Sequence, residues 1–207
     1  MVWQLVAGLL GPRWADELGF TDLGGAGSAS RLNTMVSGFT NYAQRTVVIA
    51  DTEGAMARYV TGLIRAHELP EEDVLLFEAN LEDSNFSPAE MLDVLIERAA
   101  NPPDQRPAVT LALPLDDVLT AHQKRCERSQ GNLGLASTLL KLAEDPQHGG
   151  PVVISKPDFA RALADRMLHE FDNAQDDETI QGLRERRPIL AFVLDRILPV
   201  LTGPRWG

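Results

Sequence analysis

A short run of β-branched and apolar residues, Thr46 to Ala50, ends abruptly in Asp51 and is followed closely by Glu53. Continuous apolar character, rather than alternation of apolar and polar residues, is typical of a strand that is buried on both faces of a parallel sheet. An amphipathic helix is predicted next, over residues 54 to 67. The segment therefore predicts a strand and crossover helix of a parallel α/β fold, with two carboxylates at the carboxyl end of the strand.

The same alternation of strand and helix is predicted on both sides of this segment. Val2 to Val6 has the apolar character of a first strand, and Val74 to Phe77 has that of a later one. A helix is predicted over residues 28 to 43, and another from Ser87 to Ala100. The second begins with Ser-Pro-Ala-Glu, in which serine caps the helix and glutamate completes a capping box. We therefore expect an α/β fold whose parallel sheet is flanked by helices.

The pattern changes after about residue 101. The stretch NPPDQRP, residues 101 to 107, has the composition of a linker, and the helical segments that follow are broken at Pro114 and Gly131. We therefore predict an α/β domain over residues 1 to 105. A mainly helical extension, residues 106 to 207, is predicted to pack on it.

Composition restricts the classes of partner and the compartment. The formal net charge of −11 argues against a general nucleic-acid coat protein, so any contact with nucleic acid is expected to be local or bridged by metal ions. Cys126 is the only cysteine, which excludes internal disulfides and cysteine-rich zinc sites and fits a reducing compartment. No stretch has the length of a membrane span. We expect a cytoplasmic protein with no membrane partner.

The carboxylates after the buried strand are candidate metal ligands. Asp51 and Glu53 are two residues apart, so both side chains can point the same way if the extended backbone continues through Thr52. Mutual repulsion then favours a shared cation, and Mg²⁺ or Mn²⁺ prefers such oxygen ligands. The alternative is that both acids stabilise the amino terminus of the following helix.

Further acids follow the next predicted strand. Glu78, Glu82 and Asp83 come after Val74 to Phe77, and parallel strands bring their carboxyl ends to one edge of a sheet. These acids could therefore join Asp51 in a cation site. The alternative, for Glu82 and Asp83, is an ordinary solvated loop.

Four segments, taken in chain order, resemble a TOPRIM domain and, more narrowly, the TOPRIM half of the overcoming-lysogenization-defect (OLD) nucleases. The resemblance covers about residues 2 to 100 and is weaker in the tail. It implies a Rossmann-like parallel sheet and metal-dependent cleavage of nucleic acid. The segments are QLVAG (4–8), LGGAGSASRL (23–32), VVIADTEG (47–54) and LLFEANLEDSNF (75–86).

The resemblance also implies roles for individual residues. Asp51 and Glu53 take the place of the metal-binding pair, and Glu82 resembles an additional catalytic acid. We expect Asp51, Glu53 and Glu82 to hold the metal, with Asp83 as a secondary ligand. The implied Mg²⁺ or Mn²⁺ would polarise a phosphodiester and activate water. Lys156, in ISKPDFA, matches a lysine that would stabilise negative charge as the bond breaks. The alternative for Lys156 is a solvent-exposed residue before a helix.

The sequence departs from the family pattern in ways that leave enzymatic activity open. Ala7-Gly8 stands where the family has Glu-Gly, and alanine can neither bind metal nor transfer a proton. The phosphate loop of the ATPase half is absent from the sequence. Two functions therefore stay open: nucleic-acid phosphodiester hydrolysis, and a catalytically degenerate module that acts as a protein-interaction or regulatory subunit. Partners left open are DNA or another nucleic acid bound through the metal, a separate ATPase or missing ATPase domain, and further copies of the chain.

Overall fold

The structure is a computed structural model that combines helices with a parallel pair of strands. The residues that it describes are 1–11, 19, 31–32, 34–36, 45–52, 56–78, 80–103, 106–129, 133–148 and 151–199. They divide into two compact units. The first unit comprises Met1–Leu9 and Glu82–Arg187, and the second comprises Leu10–Leu81 and Pro188–Gly207.

The described elements are mostly helical. The strands are β1 (Val48–Asp51) and β2 (Val74–Phe77). The α-helices are α1 (Val2–Leu10), α2 (Met56–Arg65), α3 (Pro88–Ala100), α4 (Leu115–Ser129), α5 (Leu135–Ala143), α6 (Lys156–Asn173), α7 (Asp177–Arg186) and α8 (Pro188–Phe192). Short 3₁₀ turns occupy Glu71–Asp73 and Pro146–His148, and a π-helix occupies Val193–Ile197. Residues 31–32 and 34–36 are also helical.

The second unit contains a β-α-β arrangement. Strands β1 and β2 are parallel, with Val48 opposite Val74 and Asp51 opposite Phe77. Helix α2 connects them and buries its apolar face, which includes Val60, in a core shared with β1. The strands predicted around Thr46 to Ala50 and at Val74 to Phe77, and the helix between them, are confirmed, because continuous apolar strands and an amphipathic helix are strong local signals.

An ion pair joins the segments that lead into the two strands. Asp73 directly precedes β2, is only 3% exposed, and accepts hydrogen bonds of 2.8 and 2.9 Å from Nε of Arg45. Arg45 lies just before β1, so the pair connects the amino ends of both strands. A buried carboxylate needs such a partner, because its desolvation is otherwise costly.

The predicted first strand, Val2 to Val6, is wrong, since these residues lie in α1. Leu5 and Val6 are buried on this helix. A continuous apolar run fits a buried helix as well as a buried strand, so its periodicity could not decide between them. Gly8 lies in close contact with α6, because a Cβ atom there would overlap the side chain of Leu168.

The first unit is a set of packed helices. Helix α3 contacts α4, α5 and α6, and its predicted capping box is confirmed: Ser87 Oγ accepts from the backbone N–H of Glu90, and Glu90 Oε2 accepts from that of Ser87 at 2.7 Å. Phe159, Leu163 and Met167 are buried on α6, as their spacing predicts. The helical character predicted after residue 106 is confirmed. The domain boundary near residue 105 stays a prediction.

We expect Asp73→Ala to lower the free energy of unfolding by about 2 kcal/mol, because it removes the buried partner of Arg45. Urea denaturation measures the change. The matched control is Glu72→Ala, which removes an exposed acid from the same turn and should change stability by about 0.5 kcal/mol or less. Equal losses in the two variants would contradict a specific role for Asp73.

Candidate site at the carboxyl edge of the parallel strands

Asp51 is the last residue of β1, at the carboxyl edge of the parallel pair. It is partly exposed and lies opposite Phe77 in the strand register. The backbone N–H of Thr52 donates to the carbonyl of Phe77 at 2.9 Å, and the Thr52 hydroxyl lies 3.4 Å from the carbonyl oxygen of Glu78. Pairing between the strands therefore continues through Thr52, and this holds the backbone on both sides of Asp51.

The partner predicted for Asp51, Glu53, lies outside the described residues. The prediction of a shared cation requires an extended backbone through Thr52, and the strand pairing of Thr52 with Phe77 meets this requirement. Glu78 is exposed and follows β2. The Asp51 and Glu53 metal pair stays a prediction.

Asp83 has a structural partner in the first unit. Its two carboxylate oxygens lie 3.1 and 3.2 Å from the backbone nitrogen of Leu135, which donates to them. Leu135 is the first residue of α5, and Gly134, at the capping position, has no side chain to satisfy that N–H group. Asp83 therefore supplies the negative charge and hydrogen-bond acceptor at this helix terminus.

Glu82 and Lys156 differ in their exposure. Glu82 is only 7% exposed, and its carbonyl accepts from the backbone N–H groups of Asn85 and Phe86 at 3.1 and 2.9 Å, which closes a turn. Lys156 is exposed and is the first residue of α6, where Ser155 caps the helix. Glu82 thus lies in an ordered turn and not in a solvated loop. Lys156 has the exposure expected of the alternative, a solvent-exposed residue before a helix.

The predicted ligand set is divided between the two units. Asp51 belongs to the second unit, whereas Glu82, Asp83 and Lys156 belong to the first. Within the described residues, no three His, Cys, Asp or Glu side chains are grouped so that they could hold a metal ion. The metal and catalytic assignments stay predictions, because Glu53 lies outside those residues.

Sequence reasoning missed the residue that organises the turn beside Glu82. Arg187 is only 1% exposed and pairs with Glu90 at 2.5 Å and with Glu170 at 2.9 Å. Its Nη1 donates to the carbonyl of Asn85, and its guanidinium carbon lies 4.3 Å from the centre of the Phe86 ring. Two carboxylates, a carbonyl and an aromatic face thus surround one buried cation.

The local sequence explains why the helix stops at Arg187. Pro188 follows it, and a residue before proline is disfavoured in helical conformation. Arg187 has φ −125° and ψ 75°, so α7 ends at Arg186, although the Arg187 backbone N–H still donates to the carbonyl of Leu183 at 2.9 Å. The proline was the available signal for the helix end, but nothing local distinguishes Arg187 from the neighbouring arginines.

Glu90 belongs to both the capping box and the Arg187 network. Burial by itself would raise the pKa of Glu90, but hydrogen bonds from Arg187 and Ser87 and the charge of Arg187 outweigh burial and lower the pKa to about 2. The folded protein therefore favours the ionised carboxylate. This gives Glu90 a stabilising contribution that depends on pH.

Comparisons with protein-family models, curated proteins and solved structures found no match. Among the helices in the described part of the chain, none combines the length and apolar character needed to cross a membrane.

We expect Arg187→Met to lower the free energy of unfolding by about 3 kcal/mol, because the substitution leaves Glu90 and Glu170 without their shared cation. Chemical denaturation provides the measurement. Arg186→Met removes an exposed arginine next to it and should cost about 0.5 kcal/mol or less. Equal losses of stability in the two variants would show that the buried network contributes no more than an exposed arginine.

The effect of Glu90→Gln should depend on pH. Glutamine can still serve in a capping box, so the substitution mainly removes the charge. Since the folded pKa is about 2 and the ordinary value is 4.5, the stabilisation is fully present above about pH 5 and is lost as the pH falls towards 2.

Because Glu90 is partly exposed, we expect a difference between wild type and Glu90→Gln of about 1 to 2 kcal/mol at pH 6. Urea denaturation at pH 6, 5, 4 and 3 should show this difference shrinking. Asp93→Asn, an exposed acid on the same helix, is the control. A difference that stays constant down to pH 3 would contradict the ionic role of Glu90.

Proposed function

We propose that this chain is a TOPRIM-like domain that hydrolyses phosphodiester bonds of nucleic acid with the help of Mg²⁺ or Mn²⁺. The observation that supports the proposal is the place of Asp51, at the carboxyl edge of a parallel β-α-β arrangement. Open α/β folds bind their ligands at this edge. A Rossmann-like sheet larger than the described pair of strands is part of the proposal.

Asp51 and Glu53 would hold the metal in this proposal. Both offer carboxylate oxygens, the ligand type that Mg²⁺ and Mn²⁺ prefer, and strand pairing continues at Thr52, next to Asp51. The bound ion would supply the Lewis acid that polarises the phosphodiester and lowers the pKa of a water molecule. With a net charge of −11, the chain also needs cations to approach a polyanion.

The remaining predicted residues have unequal support. Glu82 would act as a further acid, and Lys156, which is exposed, would stabilise the negative charge that develops at the phosphate. Asp83 already accepts hydrogen bonds from the amino terminus of α5. Its part in metal binding is therefore secondary.

Calorimetric titration with Mg²⁺ and Mn²⁺ tests the metal site. We expect binding to the wild type and at least a tenfold weaker affinity in Asp51→Asn/Glu53→Gln, because the carboxylate oxygens that replace water around the ion are lost. Asp116→Asn/Asp117→Asn makes the same change in net charge at exposed positions of α4 and should bind like the wild type. Equal binding by all three proteins would overturn the metal assignment.

A second function is favoured by the structure around Ala7. The residue that replaces the family glutamate lies in α1, not at the end of a strand, and Asp83 is engaged at a helix terminus. Both observations suit a catalytically degenerate TOPRIM-like module that acts as a protein-interaction or regulatory subunit. Cleavage of DNA by the wild-type protein with Mg²⁺ or Mn²⁺ would exclude this function. Metal-dependent cleavage that appears only in Ala7→Glu would support it.

A further inference from the structure

A cysteine, a histidine and a threonine form a chain of contacts between α4 and α5. The sulfur of Cys126 lies 3.6 Å from Nε2 of His122, and Nδ1 of His122 lies 3.1 Å from the hydroxyl oxygen of Thr138. Cys126 and His122 are four residues apart on α4 and so share one face of that helix. Cys126 thus has the place of a nucleophile, His122 that of its base, and Thr138 that of a group that orients the base.

Arg125 and His122 both contact the hydroxyl of Thr138. Nη1 of Arg125 donates to the Thr138 hydroxyl oxygen at 3.0 Å and to the carbonyl of Ser137 at 2.9 Å. Thr138 is fully buried, so its oxygen bonds to protein groups rather than to bulk water. One lone pair accepts from Arg125, and the other can accept from a proton on Nδ1 of His122; in that tautomer Nε2 is the acceptor beside Cys126.

We propose that Cys126 is an oxidation site for hydroperoxides, with His122 as the base that takes the thiol proton. Cys126 is partly exposed, and its sulfur also lies 3.9 Å from the carbonyl oxygen of Leu133. Thr138 and Arg125 are positioning residues, since they act through His122. This activity uses none of the residues of the proposed metal site.

The chemical step is balanced by the peroxide itself. Nε2 of His122 takes the thiol proton, the sulfur attacks the nearer peroxide oxygen, and the O–O bond breaks as the S–O bond forms. The departing oxygen keeps the electron pair of the broken bond, receives the proton from His122, and leaves as water or an alcohol. Sulfur is oxidised to a sulfenic acid and the peroxide is reduced.

The sequence determines what can happen to this product. Cys126 is the only cysteine of the chain, so the sulfenic acid cannot form an internal disulfide. An external thiol would have to attack it, with formation of a mixed disulfide and release of water. Cys126 thus stays oxidised after exposure to peroxide until thiols of another molecule reduce it.

The first experiment compares native and urea-unfolded wild-type protein. Both are treated with hydrogen peroxide at the same pH, the sulfenic acid is trapped with dimedone, and the adduct on Cys126 is measured by mass spectrometry. We expect native protein to react at least fivefold faster, because unfolding separates His122 from the thiol. A native rate equal to or slower than the unfolded rate would overturn the proposal.

The second experiment isolates the base. We expect His122→Asn to lower the native rate of oxidation at least tenfold, in line with the loss of a general base. His169→Asn makes the same substitution at an exposed histidine of α6 and should stay within twofold of the wild type. An unchanged rate in His122→Asn overturns the proposal. If that variant does not fold, the comparison of native and unfolded wild type decides.

The role of Thr138 has a spectroscopic signature. In wild type we expect the ¹⁵N chemical shifts of His122 to show a protonated Nδ1 and an unprotonated Nε2. In Thr138→Val the two nitrogens should move towards the values of a mixture of tautomers, and the oxidation rate should fall. Wild-type shifts that place the proton on Nε2 would contradict this positioning role.

Discussion

The buried guanidinium of Arg187 is the constraint on which the helical unit depends. A cation that is 1% exposed needs ion pairs and hydrogen bonds that offset the cost of its desolvation. These interactions come from α3, α6 and the turn that precedes α3. Glu90 and Glu170 provide charge, while Asn85 and Phe86 provide a carbonyl and an aromatic face. Because Glu90 also completes the capping box, the start of α3 and the position of Arg187 are fixed together.

This network changes the interpretation of the segment that resembles the nuclease loop. In LEDSNFSPAE, residues 81 to 90, Asp83 accepts from the start of α5, and three other residues contact Arg187. Much of the motif is therefore needed for folding, whatever chemistry the chain performs. Glu82 is buried and its carbonyl closes the turn, and its part in catalysis stays a prediction.

Elements with strong local signals could be predicted from the sequence. Strand β1, helix α2 and the capping box at Ser87 each follow from patterns within a few residues, and all three are confirmed. The apolar run of α1 predicts a strand, because it lacks a decisive helical period, and this prediction is wrong. The Arg187 network could not be predicted, since Glu90 is 97 residues away in the chain. The location of Asp51 followed from the strand pattern, whereas the capping role of Asp83 depends on Leu135, which is also distant in sequence.

The contact between Arg187 and Asn85 has a topological consequence. The chain passes into the helical unit at Glu82 and leaves it after Arg187, so this one hydrogen bond ties together the two ends of a continuous segment of that unit. Once this bond forms, residues 82 to 187 are a closed loop of chain, so the entropic cost of bringing the distant ends together is met within the helical unit. The same unit also includes Met1–Leu9, so it is completed by a second, separate piece of chain.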